Sequence, residues 1–183
     1  TPNFGLEVTA ATAALTHTLN APGGGAAGTL GGSTMFTGFS LGTKTQAVNW
    51  SEVGFINLFA SSTNYLGSGQ NVTNSAAGLT GVGRFRPDNF GVAYNMPEFT
   101  PGCGTFSYVG APFSYGTAPA ITVTARNSSN TTTMNYAGAY MMLTNASLTP
   151  ATQGARYSRF DALGGGSTPA LDTAGLPATA GDP

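Results

Sequence analysis

The chain has 183 residues, a length that fits one large β domain or two small ones. Only 7% of the residues are charged and the formal net charge is −1, which excludes the basic surface on which nucleic-acid binding depends. Hydrophobic residues make up 40%, enough to build a core and to exclude a disordered chain, and no apolar run is long enough to span a bilayer.

Short segments with strand character follow one another in the first half of the chain. Ala13, Leu15, His17 and Leu19 alternate with polar residues, and this period of two predicts a strand with one apolar face. Residues 47–60 are apolar on both faces, which is typical of a strand inside a core. The predicted elements are a strand or strand pair at Val8–Leu19, strands at Phe36–Leu41 and Ala47–Ala60, a glycine-rich loop at Ala21–Gly32 and a polar loop at Ser61–Gly81.

The second half restarts this pattern after the segment Gly83-Arg84-Phe85-Arg86-Pro87-Asp88. Phe90, Val92, Tyr94 and Met96 fall on one face at period two, which predicts a half-buried strand. Turn residues at 127–130 separate two further strand-like segments and predict a hairpin. The predicted elements are strands at Phe90–Met96, Thr105–Val109 and Ile121–Arg126, a hairpin arm at Thr131–Leu143 and a Gly/Pro/Ala-rich tail from about residue 163.

These elements favour an all-β fold built of Ig-like β-sandwich modules, because no window of helical length carries an apolar stripe. We predict two modules in tandem, one over residues 1–82 and one over residues 83–183, with the boundary near Gly81–Gly83. A single elongated sandwich is the alternative. Neither end of the chain resembles a natural terminus, so we expect an interior segment of a larger protein or a processed product.

The boundary segment is predicted to be structural, since nothing about it indicates catalysis. Two of the six basic residues stand here beside an aromatic residue and a proline. Asp88 is expected to pair with Arg84 or Arg86 in a buried cluster that fixes the angle between the two modules. The predicted junction residues are Arg84, Phe85, Arg86, Asp88 and Phe90.

Two patterns that mark enzymes in other folds occur without the elements they require. Gly23–Gly28 has the spacing of a dinucleotide fingerprint, but the residues after it cannot begin a helix. Gly38–Gly42 has the spacing of a nucleophile elbow, but a strand-like segment follows Ser40 and the single histidine precedes it. We predict no catalytic residue, no cofactor and no metal. Glycan hydrolysis would need two carboxylates that the fold brings together across a cleft, Glu52 and another.

Three polar residues have structural interpretations. His17 lies on the apolar face of its strand, where we expect a hydrogen-bonded structural histidine. Glu52 heads the best strand of the first half and is expected to cap a turn or to pair with an arginine. Cys103 is the single cysteine, so we expect either a buried or idle thiol or a disulfide to a cysteine outside this segment.

Aromatic residues amid Gly and Pro mark one possible ligand-contacting loop. They are Tyr108, Phe113 and Tyr115. The alternative is that these rings pack over the end of a sandwich.

Five short segments, in this order, carry a family resemblance: Thr1-Pro2-Asn3-Phe4-Gly5, Trp50-Ser51-Glu52-Val53-Gly54, Gly83-Arg84-Phe85-Arg86-Pro87-Asp88-Asn89-Phe90, Cys103-Gly104-Thr105-Phe106-Ser107-Tyr108 and Thr122-Val123-Thr124-Ala125-Arg126-Asn127. The chain resembles the uncharacterised C-terminal region of the MshQ-like surface proteins of the MSHA (mannose-sensitive haemagglutinin) type IV pilus system. The resemblance spans nearly the whole segment, and from it we expect the family region to continue beyond Pro183.

The resemblance implies an exported bacterial protein with β-sandwich modules, located outside the cell or on its surface and tied to pilus assembly or adhesion. It implies no known active site. The expected partners are other protein chains, either pilus components or copies of the chain itself, or a surface glycan. A self-assembling subunit of an extracellular filament or sheath is the alternative.

Overall fold

A computed structural model describes residues 2–108, 114–144, 147, 159–160, 166–167 and 181. The fold of these residues is all-β, as predicted. Short helical turns of the 3-10 type occur in the described part, among them Tyr65–Gly67 and Gly138–Tyr140. The strands are β1 (Ala13–Ala21), β2 (Leu30–Gly32), β3 (Met35–Phe36), β4 (Val48–Trp50), β5 (Gly54–Ser62), β6 (Val72–Thr73), β7 (Leu79–Phe85), β8 (Asn89–Tyr94), β9 (Glu98–Thr100), β10 (Ser114–Thr117), β11 (Ile121–Arg126), β12 (Arg159–Phe160) and β13 (Gly166–Ser167).

The largest sheet is built around β5, which pairs on one side with β1 and on the other with β6 and β7. All of these pairs are antiparallel, and β3 extends the sheet beyond β1. The alternation predicted for β1 is confirmed, because its odd-numbered residues are half-buried and Thr16, Thr18 and Asn20 are exposed. Ile56 lies opposite Leu19 and Val82 and has no exposed surface, so it marks the centre of the core.

A small second sheet, β2–β4, packs onto this large sheet through Trp50. The Trp50 ring lies 5.3 Å from the Phe85 ring of β7 and 6.4 Å from the His17 ring of β1, measured between ring centroids. Trp50, Val53 and Ile56 are the buried large hydrophobic residues of the described chain. Two sheets that enclose a shared core are consistent with a β-sandwich.

Two further antiparallel pairs follow β7. In the first, β8 pairs with β11 from Asn89 opposite Arg126 to Tyr94 opposite Ile121. In the second, β9 pairs with β10. The expected hairpin arm at residues 131–143 is wrong beyond Thr133. A turn at residues 134–135 and a 3-10 turn take its place.

The chain divides into two compact units, residues 1–136 and residues 137–183. Among the described residues of the second unit are the pair β12–β13 and a hydrogen bond from Gly181 N–H to the Met141 carbonyl at 2.7 Å. The boundary predicted near Gly81–Gly83 falls inside β7, which pairs with β5 from Leu79 to Phe85. The predicted modules, 1–82 and 83–183, therefore do not coincide with the compact units.

No described helix is long and apolar enough to cross a membrane.

Candidate functional site

A buried carboxylate, Glu52, lies where separate segments of the first unit meet. Only 7% of its surface is exposed. Its carboxylate accepts hydrogen bonds from the backbone N–H groups of Met134 (3.0 Å to Oε1) and Asn135 (3.1 Å to Oε2). Both oxygens therefore hold the turn at residues 134–135, which is the turn-capping role expected from the sequence.

Asn135 extends this connection to the glycine-rich loop. Its side chain is 5% exposed. Asn135 Oδ1 accepts a hydrogen bond from Ala26 N–H at 2.7 Å, and Asn135 Nδ2 donates one to the Ala26 carbonyl at 2.9 Å. The side-chain amide thus satisfies both backbone groups of Ala26, a half-buried loop residue.

Trp50 completes the arrangement from the other side of the loop. Its indole Nε1–H donates to the Ala27 carbonyl at 2.9 Å, and His17 Nε2 lies 3.1 Å from the same oxygen. Gly28 has a φ of +65°, and a Cβ there would lie 2.5 Å from Trp50 Nε1, so the close packing of the indole requires glycine. We call Trp50, Glu52 and Asn135, with the backbone of Ala26 and Ala27, the buried junction.

Asn127 anchors a neighbouring turn to the same region. Its Nδ2 donates to the Ser51 carbonyl at 3.1 Å. Its Oδ1 accepts from Ser129 N–H and Thr131 N–H, each at 3.0 Å. The turn predicted at residues 127–130 is therefore fixed next to Glu52. The anchored turn also helps to position residues 134–135, which follow it in the chain.

A second carboxylate site lies near the start of the chain. Glu7 Oε1 accepts a hydrogen bond from the Tyr65 hydroxyl at 2.7 Å, and Oε2 accepts from the N–H groups of Gly5 (2.7 Å) and Ala11 (3.2 Å). The Tyr65 hydrogen bond is the main cause that lowers the pKa of Glu7 below its ordinary value, and the same bond raises the pKa of Tyr65. The Phe4 ring stacks on the Tyr65 ring at 5.6 Å.

The predicted junction residues lie on β7, on β8 and between these strands. Phe85 packs against Trp50, but Arg84, Arg86 and Asp88 are exposed. The Asp88 carboxylate accepts a hydrogen bond from Asn89 Nδ2 at 3.1 Å. The expected buried cluster of arginine and carboxylate is therefore wrong. These charged groups remain in water and so avoid the loss of hydration that burial would cost.

Phe90, the fifth predicted junction residue, is 42% exposed, and its ring lies 5.6 Å from the Tyr136 ring. Along the same face of β8 the exposed fraction rises to 68% at Val92 and 81% at Tyr94. The expectation of a half-buried face is wrong here, because β11 is the one described strand that pairs with β8 and no described sheet covers the face. The role of the five residues at a domain boundary stays a prediction.

Two of the three aromatic residues predicted to contact a ligand can be placed; Phe113 lies outside the described residues. Tyr115 of β10 lies opposite Phe99 of β9, and the two rings stack with centroids 5.0 Å apart. Phe106, in the same part of the chain, is 61% exposed, and Phe99 and Tyr108 are exposed to about the same extent. Tyr115 is 47% exposed. We call Phe99, Phe106, Tyr108 and Tyr115 the exposed aromatic group.

The pattern of a nucleophile elbow at Gly38–Gly42 lacks the helix that it requires. Ser40 pairs with Thr43 in an isolated β-bridge and does not precede a helix. The Cys103 thiol is exposed, so the expectation of a buried thiol is wrong, whereas an idle thiol and a disulfide to a cysteine outside this segment both stay predictions. In the part of the chain that the structure describes, no group of three or more His, Cys, Asp or Glu residues could hold a metal ion.

Sequence reasoning missed Asn135, Phe99 and the Glu7–Tyr65 pair. Asn135 stands among Thr and Asn residues that look equivalent in the sequence, and its partner Ala26 is 109 residues away. Glu7 and Tyr65 are 58 residues apart. Phe99 carried a weak signal, since it is an aromatic residue in a segment of alternating polarity close to the predicted loop.

Residues 52–180 match the family described as DUF6701, third domain. No curated protein and no solved structure matches the chain. The match begins at Glu52, so β1 to β4 of the first compact unit precede it. Because the match covers well over half of the sequence, the chain belongs to the DUF6701 family.

Proposed function

We propose that the chain is a non-enzymatic β-sandwich module of an exported, pilus-associated cell-surface protein, in which it serves adhesion or assembly. The proposal is supported by the resemblance to MshQ-like surface proteins and is compatible with membership of the DUF6701 family. The low content of charged residues also favours a surface β protein over a cytosolic one.

The observation that carries the proposal is the exposed aromatic group. Aromatic side chains provide large contact areas and are enriched at recognition surfaces, whereas in a monomer they are ordinarily buried. Here Phe99 and Tyr115 are held on paired strands, stacked on one another, with about half of each side chain in water. A rigid aromatic pair of this kind suits contact with the apolar face of a sugar ring or with a protein surface.

The polar residues near the core support the same assignment. Glu52 and Asn135 have their side-chain groups engaged with backbone groups of the protein itself, and the His17 ring lies beside a backbone carbonyl. Groups that are bound in this way stabilise the fold.

Binding of the immobilised chain to glycan arrays and to pilus preparations tests the proposal. We expect Tyr115→Ala and Phe99→Ala to lose binding while the thermal midpoint stays near that of the parent. Leu79→Ala is the control, because Leu79 is 62% exposed on β7 and does not belong to the aromatic group. Absence of binding by the parent chain to both panels, or equal loss in the control, would contradict the proposal.

A self-assembling filament subunit is the second candidate, and the outer edge of β8, which no described strand pairs with, favours it. Open edges let strands add from other molecules without a closing symmetry. Light scattering separates the two candidates, because a filament subunit forms polymers whose mass keeps growing with concentration, whereas an adhesin module does not grow beyond a small closed assembly.

A further inference from the structure

The outer edge of β8 presents backbone groups that no described strand pairs with. The register fixes which groups these are, because hydrogen-bonded and non-hydrogen-bonded residue pairs alternate in an antiparallel pair. Asn95, one step beyond β8, donates its N–H to the Ala120 carbonyl at 3.2 Å. Residues 95, 93, 91 and 89 therefore face β11, and Phe90, Val92 and Tyr94 direct their N–H and C=O groups away from it.

The hydrogen bonds of β11 independently support this assignment of the backbone groups that face away from the partner strand. The Ala125 carbonyl accepts a hydrogen bond from Thr133 N–H at 3.0 Å, on the outer side of β11. Ala125 lies opposite Phe90, so neither residue of that pair directs its backbone groups at the other. The Arg126 carbonyl, one residue on, accepts from Asp88 N–H at 2.8 Å and so faces β8.

Nothing on β8 guards this edge in the ways that natural edge strands are guarded. Edges are ordinarily protected by charged residues, prolines or bulges. Residues 89–95 include none of the charged types and no proline, and the register with β11 runs without a shift from Asn89 to Tyr94. Every residue of β8 except Gly91 is exposed.

The sequence of β8 is nearly symmetric about Val92. Reading outward in both directions from Val92, Gly91 corresponds to Ala93, Phe90 to Tyr94, and Asn89 to Asn95. In an antiparallel pair of two identical strands with Val92 at the centre, each residue therefore lies opposite one of the same kind. The edge-directed groups of residues 90, 92 and 94 also meet one another in this register.

We propose that two copies of the chain pair antiparallel through β8, about a two-fold axis at Val92. Phe90 of each copy then lies opposite Tyr94 of the other, as a cross-strand aromatic pair, and about six backbone hydrogen bonds join the copies. The strands β11–β8–β8–β11 form one continuous four-stranded sheet. Asp88 lies at opposite ends of the two copies, so no like charges meet.

This dimer goes beyond the proposed adhesion function and differs from a filament. A two-fold interface uses the same surface on both copies and closes on itself, so assembly through β8 stops at two. The dimer would place two copies of the exposed aromatic group on one particle, and such paired sites strengthen binding to a surface that carries many ligands.

Charge substitutions at the axis test the pairing and its register. Val92→Lys puts two ammonium groups opposite one another, and we expect light scattering to shift from the mass of two chains to that of one. A mixture of Val92→Lys and Val92→Glu chains should restore the two-chain mass as a heterodimer. Ile121→Lys is the matched control, since Ile121 is 57% exposed on the same face but belongs to β11, and it should leave the dimer intact.

A disulfide provides a second measurement in the Cys103→Ser background. Opposite residues in a hydrogen-bonded pair have Cα atoms roughly 5.5 Å apart, within the range that a disulfide spans. Val92→Cys should cross-link the two copies under mild oxidation. Ala93→Cys, whose side chain faces the other side of the sheet, lies opposite Gly91 and should stay uncrosslinked.

Three results would overturn the proposal: a parent chain that stays monomeric at all concentrations, loss of the dimer in Ile121→Lys as complete as in Val92→Lys, or failure of the Lys and Glu chains to combine.

Discussion

The buried junction and the β8–β11 ribbon belong to the same compact unit and share the same kind of alternating sequence, yet their environments are opposite. Around the junction Trp50, Val53 and Ile56 are 6% exposed or less. On the ribbon Val92 and Tyr94 are 68% and 81% exposed. Alternation at period two sets which residues share a face, but distant parts of the chain determine whether that face is covered.

The difference lies in what each region receives from other segments. At the junction, residues 26–28, 50–52 and 134–135 supply hydrogen-bond partners to one another, so polar groups can be buried along with the apolar ones. Among the described strands, β8 and β11 pair only with each other. Two strands alone bury little, and the proposed pairing of two copies would extend the ribbon to four strands and cover the edge of β8.

The largest expected effect is at Gly54, which adjoins the junction. Gly54 has a φ of +129°, and a Cβ there would collide with the Ala21 carbonyl oxygen, which is backbone and cannot move aside. We expect Gly54→Ala to lower the free energy of unfolding by about 4 kcal/mol, measured by urea denaturation. Gly38→Ala is the control, with a φ of +63° but open space around it, and should cost about 1 kcal/mol. Equal losses would show that the close approach at Gly54 is unimportant.

Removal of the Glu52 carboxylate comes next. Glu52→Ala leaves the buried N–H group of Asn135 and the part-buried N–H group of Met134 without their acceptors, so we expect a loss of about 3 kcal/mol in the free energy of unfolding. Glu98→Ala removes an exposed carboxylate from β9 and should change stability by no more than about 0.5 kcal/mol. If both variants unfold at the same urea concentration, the junction is not a source of stability.

The same conservative substitution in the two regions gives a direct comparison. Ile56→Val removes one methylene from a side chain with no exposed surface and should cost about 1 kcal/mol. Ile121→Val removes it from a side chain that is 57% exposed and should change stability by less than about 0.5 kcal/mol. A cost at Ile121 as large as at Ile56 would mean that the ribbon is covered in solution.

The smallest effect concerns Glu7, whose folded pKa is lowered mainly by the Tyr65 hydroxyl. A lowered carboxyl pKa contributes stability above the ordinary pKa, and that contribution is lost as the pH falls through the folded value. Tyr65→Phe removes the main cause, so the pKa of Glu7 should move back toward its ordinary value in an NMR titration of the carboxyl carbon. Val72→Ala, on exposed β6, is the control and should leave the titration unchanged.

Much of the sheet structure could be predicted from the sequence, because local alternation carries it. β1, β8 and β11 lie where period two indicated them, and β5 lies in the segment predicted to be apolar on both faces. β7 was missed, since its glycines and Arg84 read as a linker. A glycine-bearing strand is stabilised by its neighbour β5, which the local sequence does not show.

The candidate site was predictable residue by residue but not as an arrangement. The structural roles of Glu52 and His17 followed from their position at the head or on the apolar face of a strand. Their partners did not, because Asn135 and the Ala27 backbone are distant in the sequence and carry no local pattern. The exposure of the charged residues at 84–88 could not be predicted from the sequence either, because it depends on which surfaces the rest of the fold leaves uncovered.

The 109-residue separation between Ala26 and Asn135 has a consequence for the order of folding. Strands β1 and β5 are separated by a shorter stretch and can pair first, whereas the junction closes only after residues 134–135 have reached the sheet. Bonds that form after the rate-limiting step slow unfolding without speeding folding. We therefore expect Glu52→Ala to unfold faster than the parent chain and to refold at an unchanged rate in stopped-flow measurements.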